Sequence, residues 1–169
     1  MNLRNTLRAI AALFIFLSSG ICFSPAKAST VPYTWNSVVI DGGGFVDGIV
    51  CHPTAQNVIY IRTDVGGAYR WNQATNSWEQ MFTWLPSSMS NAIGIESIAI
   101  DPTNANIVYA VGGGSGAGTF FASQNQGHTW LSYPLPFAVG ANNTGRQNGE
   151  RLMVDPNNPA NLYLSLIHI

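Results

Sequence analysis

The sequence predicts an all-β chain of short antiparallel hairpins. Three observations carry this: a composition rich in glycine and aromatics but poor in charge, turn residues at close intervals, and a threefold internal repeat. Charged residues make up 9% of the 169 positions, against roughly a quarter in an ordinary soluble domain. With 46% hydrophobic residues and 17 glycines the chain can bury a core, so intrinsic disorder is excluded. Only 7 residues are Lys or Arg, which argues against a nucleic-acid partner.

Reading from the N-terminus, Arg4 and Arg8 precede an apolar run over residues 9–17, and Ala26-Lys27-Ala28 offers a small-x-small cleavage site. Residues 1–28 therefore read as a secretory signal peptide, leaving 29–169 as the exported part. The run is too short to span a bilayer, so no stable membrane association is expected. Without that segment, Arg62, Arg70, Arg146 and Arg151 face eight carboxylates, a net charge of −4. Such a chain repels polyanions and suits a neutral ligand. Cys51 remains as its single cysteine, so no internal disulfide can form. Lying in the strand-like Gly48-Ile49-Val50-Cys51, it is expected to be a buried, inert thiol.

The repeat begins at His52-Pro53, Asp101-Pro102 and Asp155-Pro156, each preceded by β-type residues and each followed eight positions later by a tyrosine: Tyr60, Tyr109 and Tyr163. Proline presets φ and asparagine tolerates left-handed backbone, so each copy reads as strand, tight turn, strand. The copies recur after 49 and then 54 residues, the length of a four-stranded propeller blade with elaborated loops. At that period the chain holds about three blades. Helical solenoids are excluded because no stretch carries a 3.6-residue apolar stripe.

At the end of the second repeat, Ser123-Gln124-Asn125-Gln126-Gly127-His128-Thr129-Trp130 resembles the Asp-box hairpin of sialidase-type propellers, with Asn125 in place of the usual aspartate. That motif marks a fold and not a chemistry. More specific are the block over residues 35–50, then Arg62-Thr63-Asp64-Val65-Gly66-Gly67-Ala68-Tyr69-Arg70-Trp71, Gly94-Ile95-Glu96-Ser97-Ile98-Ala99, Pro136-Phe137 with Gly140, and Gly145-Arg146 with Gly149-Glu150-Arg151-Leu152. In order and spacing these resemble glycoside hydrolase family 74, the xyloglucanases and related endoglucanases, over residues 33–163. The resemblance implies two seven-bladed propellers, and hence that this chain is an N-terminal fragment carrying part of the first. Residues 165–169 depart from the family pattern and read as a truncated or shifted reading frame.

The resemblance also implies a secreted enzyme that cleaves β-1,4-glucan backbones, chiefly xyloglucan, with inversion and without a metal or other cofactor. Its partners would be a neutral plant polysaccharide and the remaining blades of the parent chain. Inversion needs one protonated carboxyl for the leaving oxygen and one carboxylate to activate water, about 6.5–9.5 Å apart. The motif carries the general-base role over to Asp64, while the acid would lie in the second propeller. Tyr69 and Trp71, with Trp84, are candidate platforms for apolar sugar faces, and Glu96, Glu150 and Arg151 are candidate contacts for sugar hydroxyls. On spacing alone Asp64 could be a hairpin-turn aspartate, Glu150 and Arg151 a fold-stabilising ion pair, and the tryptophans inter-blade packing. Asp41 and Asp47 read as turn and loop-closing residues. His52 and His128 lack ligand spacing, so no metal site is expected. The alternative in another functional class is a non-catalytic Asp-box propeller serving in binding or assembly.

Overall fold

The computed structural model describes residues 32–165, so the segment 1–28 and the last four residues of the 165–169 tail lie outside it. The chain divides into a short unit, residues 1–36, and a main unit from Ser37 onward. The described part of the first unit has no regular structure.

The main unit is almost entirely antiparallel β-structure. A first sheet runs in chain order through β1 (Val46–Cys51), β2 (Ile59–Thr63), β3 (Ala68–Asn72) and β4 (Ser77–Gln80). After a 3-10 segment, Ser87–Ile93, a second sheet repeats the pattern with β5 (Ile95–Ile100), β6 (Val108–Gly112), β7 (Ala117–Ser123) and β8 (Leu131–Ala138). The hairpin of β9 (Leu152–Val154) and β10 (Leu162–Leu164) follows. The repeat thus appears as two complete four-stranded blades and, in its third copy, the first two strands of another among the described residues.

Each repeat opener caps its own hairpin turn. Asp101 Oδ1 accepts from the backbone N–H of Thr103 and Asn104 at 2.8 and 3.1 Å, and Asp155 Oδ1 from Asn157 and Asn158 at 2.9 and 3.3 Å. His52 performs the same task with Nδ1, accepting from Thr54 and Ala55 at 3.1 and 2.9 Å. A short polar acceptor two and three residues before the donors is what fixes these tight turns. The motif over 123–130 is built likewise: Ser123 Oγ accepts from Gly127 N at 2.8 Å, and Asn125 Oδ1 from Thr129 N at 2.9 Å.

Strand β5 is buried at every position because it is packed on both faces. Ile98 and Ile100 join Tyr60, Ala68, Phe82, Val108 and Phe121 between the two sheets, while Ala99 on the opposite face joins Val111, Leu152 and Val154 beneath the third hairpin. This is the alternation a strand must show when a layer covers each side. Trp130 stacks on Phe82 at 5.0 Å, so the hairpin tryptophan packs across the inter-blade seam.

Cys51 departs from its sequence expectation. It is exposed, because pleating puts Ile49 and Cys51 on the face of β1 turned away from the second sheet, whereas Val50 packs into the core. Among the described residues no helix is long and apolar enough to cross a membrane.

Candidate active site

The β2–β3 turn is pinned by Thr63, whose Oγ1 accepts from Gly66 N at 2.8 Å and donates to Gly67 O at 2.9 Å. The run Gly42-Gly43-Gly44 passes directly over it. A Cβ added to Gly66 would lie 1.8 Å from the Gly43 carbonyl oxygen, so the close approach requires glycine. This contact brings Phe45 alongside Asp64: Asp64 N donates to Phe45 O at 3.3 Å, and Phe45 N donates to Asp64 Oδ1 at 2.8 Å. One carboxylate oxygen is thereby fixed by backbone. The other, Oδ2, lies 3.2 Å from Nε of Arg146, whose guanidinium carbon sits 5.8 Å from the Phe45 ring centroid. The exposed side chains of Phe45 and Val65 flank the turn.

Behind Asp64 lies a buried network of charges. Arg62, wholly excluded from solvent, donates through Nη1 to Asp47 Oδ1 at 2.9 Å and through Nε to Glu150 Oε1 at 2.6 Å. Its Nη2 donates to the carbonyls of Arg146 and Gly149 at 3.1 and 3.2 Å. Glu150 Oε2 accepts from Ser97 Oγ at 2.7 Å and Ile98 N at 2.6 Å, while Ser97 Oγ accepts from Arg151 N and Leu152 N. Arg151 pairs with Glu96, and its Nη2 donates to Gly145 O at 3.1 Å. Two carboxyls here are strongly perturbed. Burial pushes Asp47 up to about 6 against the pull of Arg62, and pushes Glu96 up to about 7 against the pull of Arg151 and Arg62. Glu96 Oε2 has no hydrogen-bond partner among the described residues.

Of the residues singled out from sequence, the structure gathers Asp64, Glu96, Glu150 and Arg151 around this network. Glu150 and Arg151 do form ion pairs, but with Arg62 and Glu96 instead of each other. Tyr69 is 3% exposed, and its hydroxyl donates to Gly66 O at 3.1 Å, supporting the Asp64 turn from within. Trp71 is not brought to the site. It stands toward the other end of β3, edge-on to Trp78 at 5.3 Å, with Nε1 donating to Gln73 Oε1 at 3.0 Å. Trp84 is partly exposed beyond β4 and leans edge-on against Phe121. Asp47, expected as a turn or loop-closing residue, lies instead within β1 and forms a buried ion pair with Arg62 on the neighbouring β2.

Sequence reasoning assigned no role to Arg62, Ser97 or Arg146. Their partners lie as much as 88 residues away, and local patterning carries no signal at that range. A hint was available in the charge count, since the few arginines of a charge-poor chain must each satisfy something.

No protein-family model matches the chain. Among curated proteins it is 40% identical to the oligoxyloglucan-reducing end-specific xyloglucanase of Emericella nidulans, over 88% of this chain and 18% of the relative. It is 41% identical to Xyloglucanase Xgh74A of Acetivibrio thermocellus, over 92% of this chain and 19% of that protein. Among solved structures, the GH74 xyloglucanase from Xanthomonas campestris superposes with a TM-score of 0.71 at 43% identity, covering 79% of this chain and 20% of that one. The GH74 enzyme of Niastella koreensis superposes with a TM-score of 0.70 at 39% identity, covering 75% and 19%. The chain therefore spans about a fifth of the length of the relatives it matches. By sequence and by fold alike, it belongs to glycoside hydrolase family 74, of which it is a fragment.

Proposed function

We propose that the full-length protein is a secreted, inverting glycoside hydrolase acting on β-1,4-glucan backbones, chiefly xyloglucan, and that this segment carries its general base, Asp64. The observation that carries the proposal is the anchoring of Asp64. Its carboxylate is held by a backbone N–H on one oxygen and faces a guanidinium on the other, beside exposed Phe45 and Val65. A turn-capping aspartate in a binding propeller has no need of a cation supplied by a loop more than 80 residues away.

In this role Asp64 takes a proton from a water molecule as that water attacks the anomeric carbon, while a second carboxyl protonates the departing oxygen from the opposite face. Asp47 and Glu96 do not suit the acid role, because both side chains are wholly shielded from solvent. The acid then comes from elsewhere in the parent chain. Glu150 and Arg151, each slightly exposed, are the proposed contacts for sugar hydroxyls. Tyr69 and Glu96 support the turn and Arg151 from behind. Trp71, with Trp84, would meet sugar only on a surface apart from Asp64. The export pattern over residues 1–28 supports secretion.

The test is hydrolysis of xyloglucan by the full-length protein, followed by proton NMR from the first turnovers. Inversion of a β-linkage delivers the α-anomer first, with the β-anomer appearing only by mutarotation. Early β-anomer would overturn the inverting mechanism, and binding without release of reducing ends would favour the non-catalytic propeller.

A further inference from the structure

We infer that Arg146 is a positioning residue for Asp64, its guanidinium held beside the carboxylate by a built scaffold of Arg62, Asp47 and Phe45. The inference rests on Asp64 being the base. Arg146 Nε lies 3.2 Å from Asp64 Oδ2 and 4.0 Å from Asp47 Oδ2, so one cationic group is shared by two carboxylates. The backbone of Arg146 is fixed independently of its side chain, since the buried Arg62 donates to its carbonyl oxygen at 3.1 Å and to that of Gly149 at 3.2 Å. Arg62 is itself fixed by Asp47 and Glu150. Phe45 completes the arrangement, with its N–H on Asp64 Oδ1 and its ring against the Arg146 guanidinium.

The chemical consequence follows from charge. A general base must present its oxygen to water in one geometry, and a cation fixed beside the carboxylate restrains it there. The Asp64 side chain is only 9% open to solvent, so its orientation decides whether an oxygen meets water. A surface ion pair with no scaffold would contribute little of this restraint. The charged groups facing Arg146 are Asp64 from the β2–β3 turn, Asp47 from β1 and Arg62 from β2, with Glu150 behind Arg62 and the Glu96–Arg151 pair beyond. Asp47 is the one other group that could transmit a change at Arg146.

The experiment uses the full-length protein with xyloglucan, comparing kcat and KM separately for wild type, Arg146→Ala, Arg146→Gln and Arg146→Lys. Loss of the cation, in Ala or Gln, lowers kcat by about 10²-fold with KM little changed, and Lys restores most of the rate. The Gln variant keeps the side chain's bulk, so it remains informative if Ala disturbs folding. A wild-type kcat in both uncharged variants, or a Lys variant no faster than Gln, overturns the inference. In an Asp47→Asn background the loss of kcat persists if Arg146 acts through Asp64, and its disappearance would overturn the inference by assigning the effect to Asp47. Asp64→Asn separates the two levels. Full activity in that variant defeats the base assignment itself, whereas an inactive Asp64→Asn with a wild-type kcat in Arg146→Gln defeats only the role of Arg146.

Discussion

Arg62 and Asp47 form an ion pair, 2.9 Å from Nη1 to Oδ1, in which both side chains are completely excluded from solvent. Burying two charges is worthwhile only where further hydrogen bonds satisfy them, and Arg62 has three more acceptors in Glu150 and the carbonyls of Arg146 and Gly149. One residue on β2 therefore ties the first blade to the loop that enters the third hairpin. Arg62→Ala is expected to cost about 3–5 kcal/mol, because it strands Asp47 in a buried site. Chemical denaturation of the full-length protein checks this, and a loss below about 1 kcal/mol, the worth of an exposed pair, would contradict it.

Stability should depend on pH through Glu96 and Asp47. Their carboxyls are raised from 4.5 to about 7 and from 3.8 to about 6 in the folded chain, chiefly by burial. Between those limits the native state retains protons that the unfolded chain has released, so the stability these groups provide is full below about pH 4 and is lost as pH rises toward 7. Glu96→Gln should flatten this decline, which amounts to a few kcal/mol across the window. Denaturant midpoints measured across the window decide it, and an undiminished slope in the variant would exclude Glu96 as the source.

The Asp64 turn depends on Gly66 for space. An added methyl group meets the Gly43 carbonyl oxygen at 1.8 Å, a backbone atom that cannot rotate aside. Gly66→Ala must separate the glycine run from the turn and so displace Phe45 N from Asp64 Oδ1. Misplacement of a reacting group by about 1 Å costs on the order of 10²-fold in rate, so kcat should fall by about that factor while the far hairpins stay folded. Wild-type kcat in Gly66→Ala would show that the Phe45 contact does not hold the base.

Much of the fold was legible because its determinants are local. His52, Asp101 and Asp155 each cap a turn within three residues, so the repeat could be seen without knowing what packs where. Asn125 replaces an aspartate in the 123–130 hairpin yet offers the same Oδ1 acceptor to Thr129 N, which is why the departure left the turn intact. Cys51 was misjudged because alternation gives a strand two faces but does not say which one a second layer covers. At the site, Asp64 was singled out by its motif and by nothing else in the sequence. Arg146 was not, since its relation to Asp64 is made by a loop whose path is set by Arg62, and the sequence holds these positions 84 apart. Tyr69 and Trp71 sit two residues apart on the same side of β3, yet one supports the turn and the other packs near the opposite end on Trp78.

The central claim is that Asp64 activates water in a glycoside hydrolase, and its most direct test is kcat of Asp64→Ala in the full-length protein on xyloglucan, with melting temperature measured alongside. Removing a general base should lower kcat by about 10²–10⁴-fold with the fold retained. Turnover at the wild-type rate in a folded Asp64→Ala protein would contradict the account.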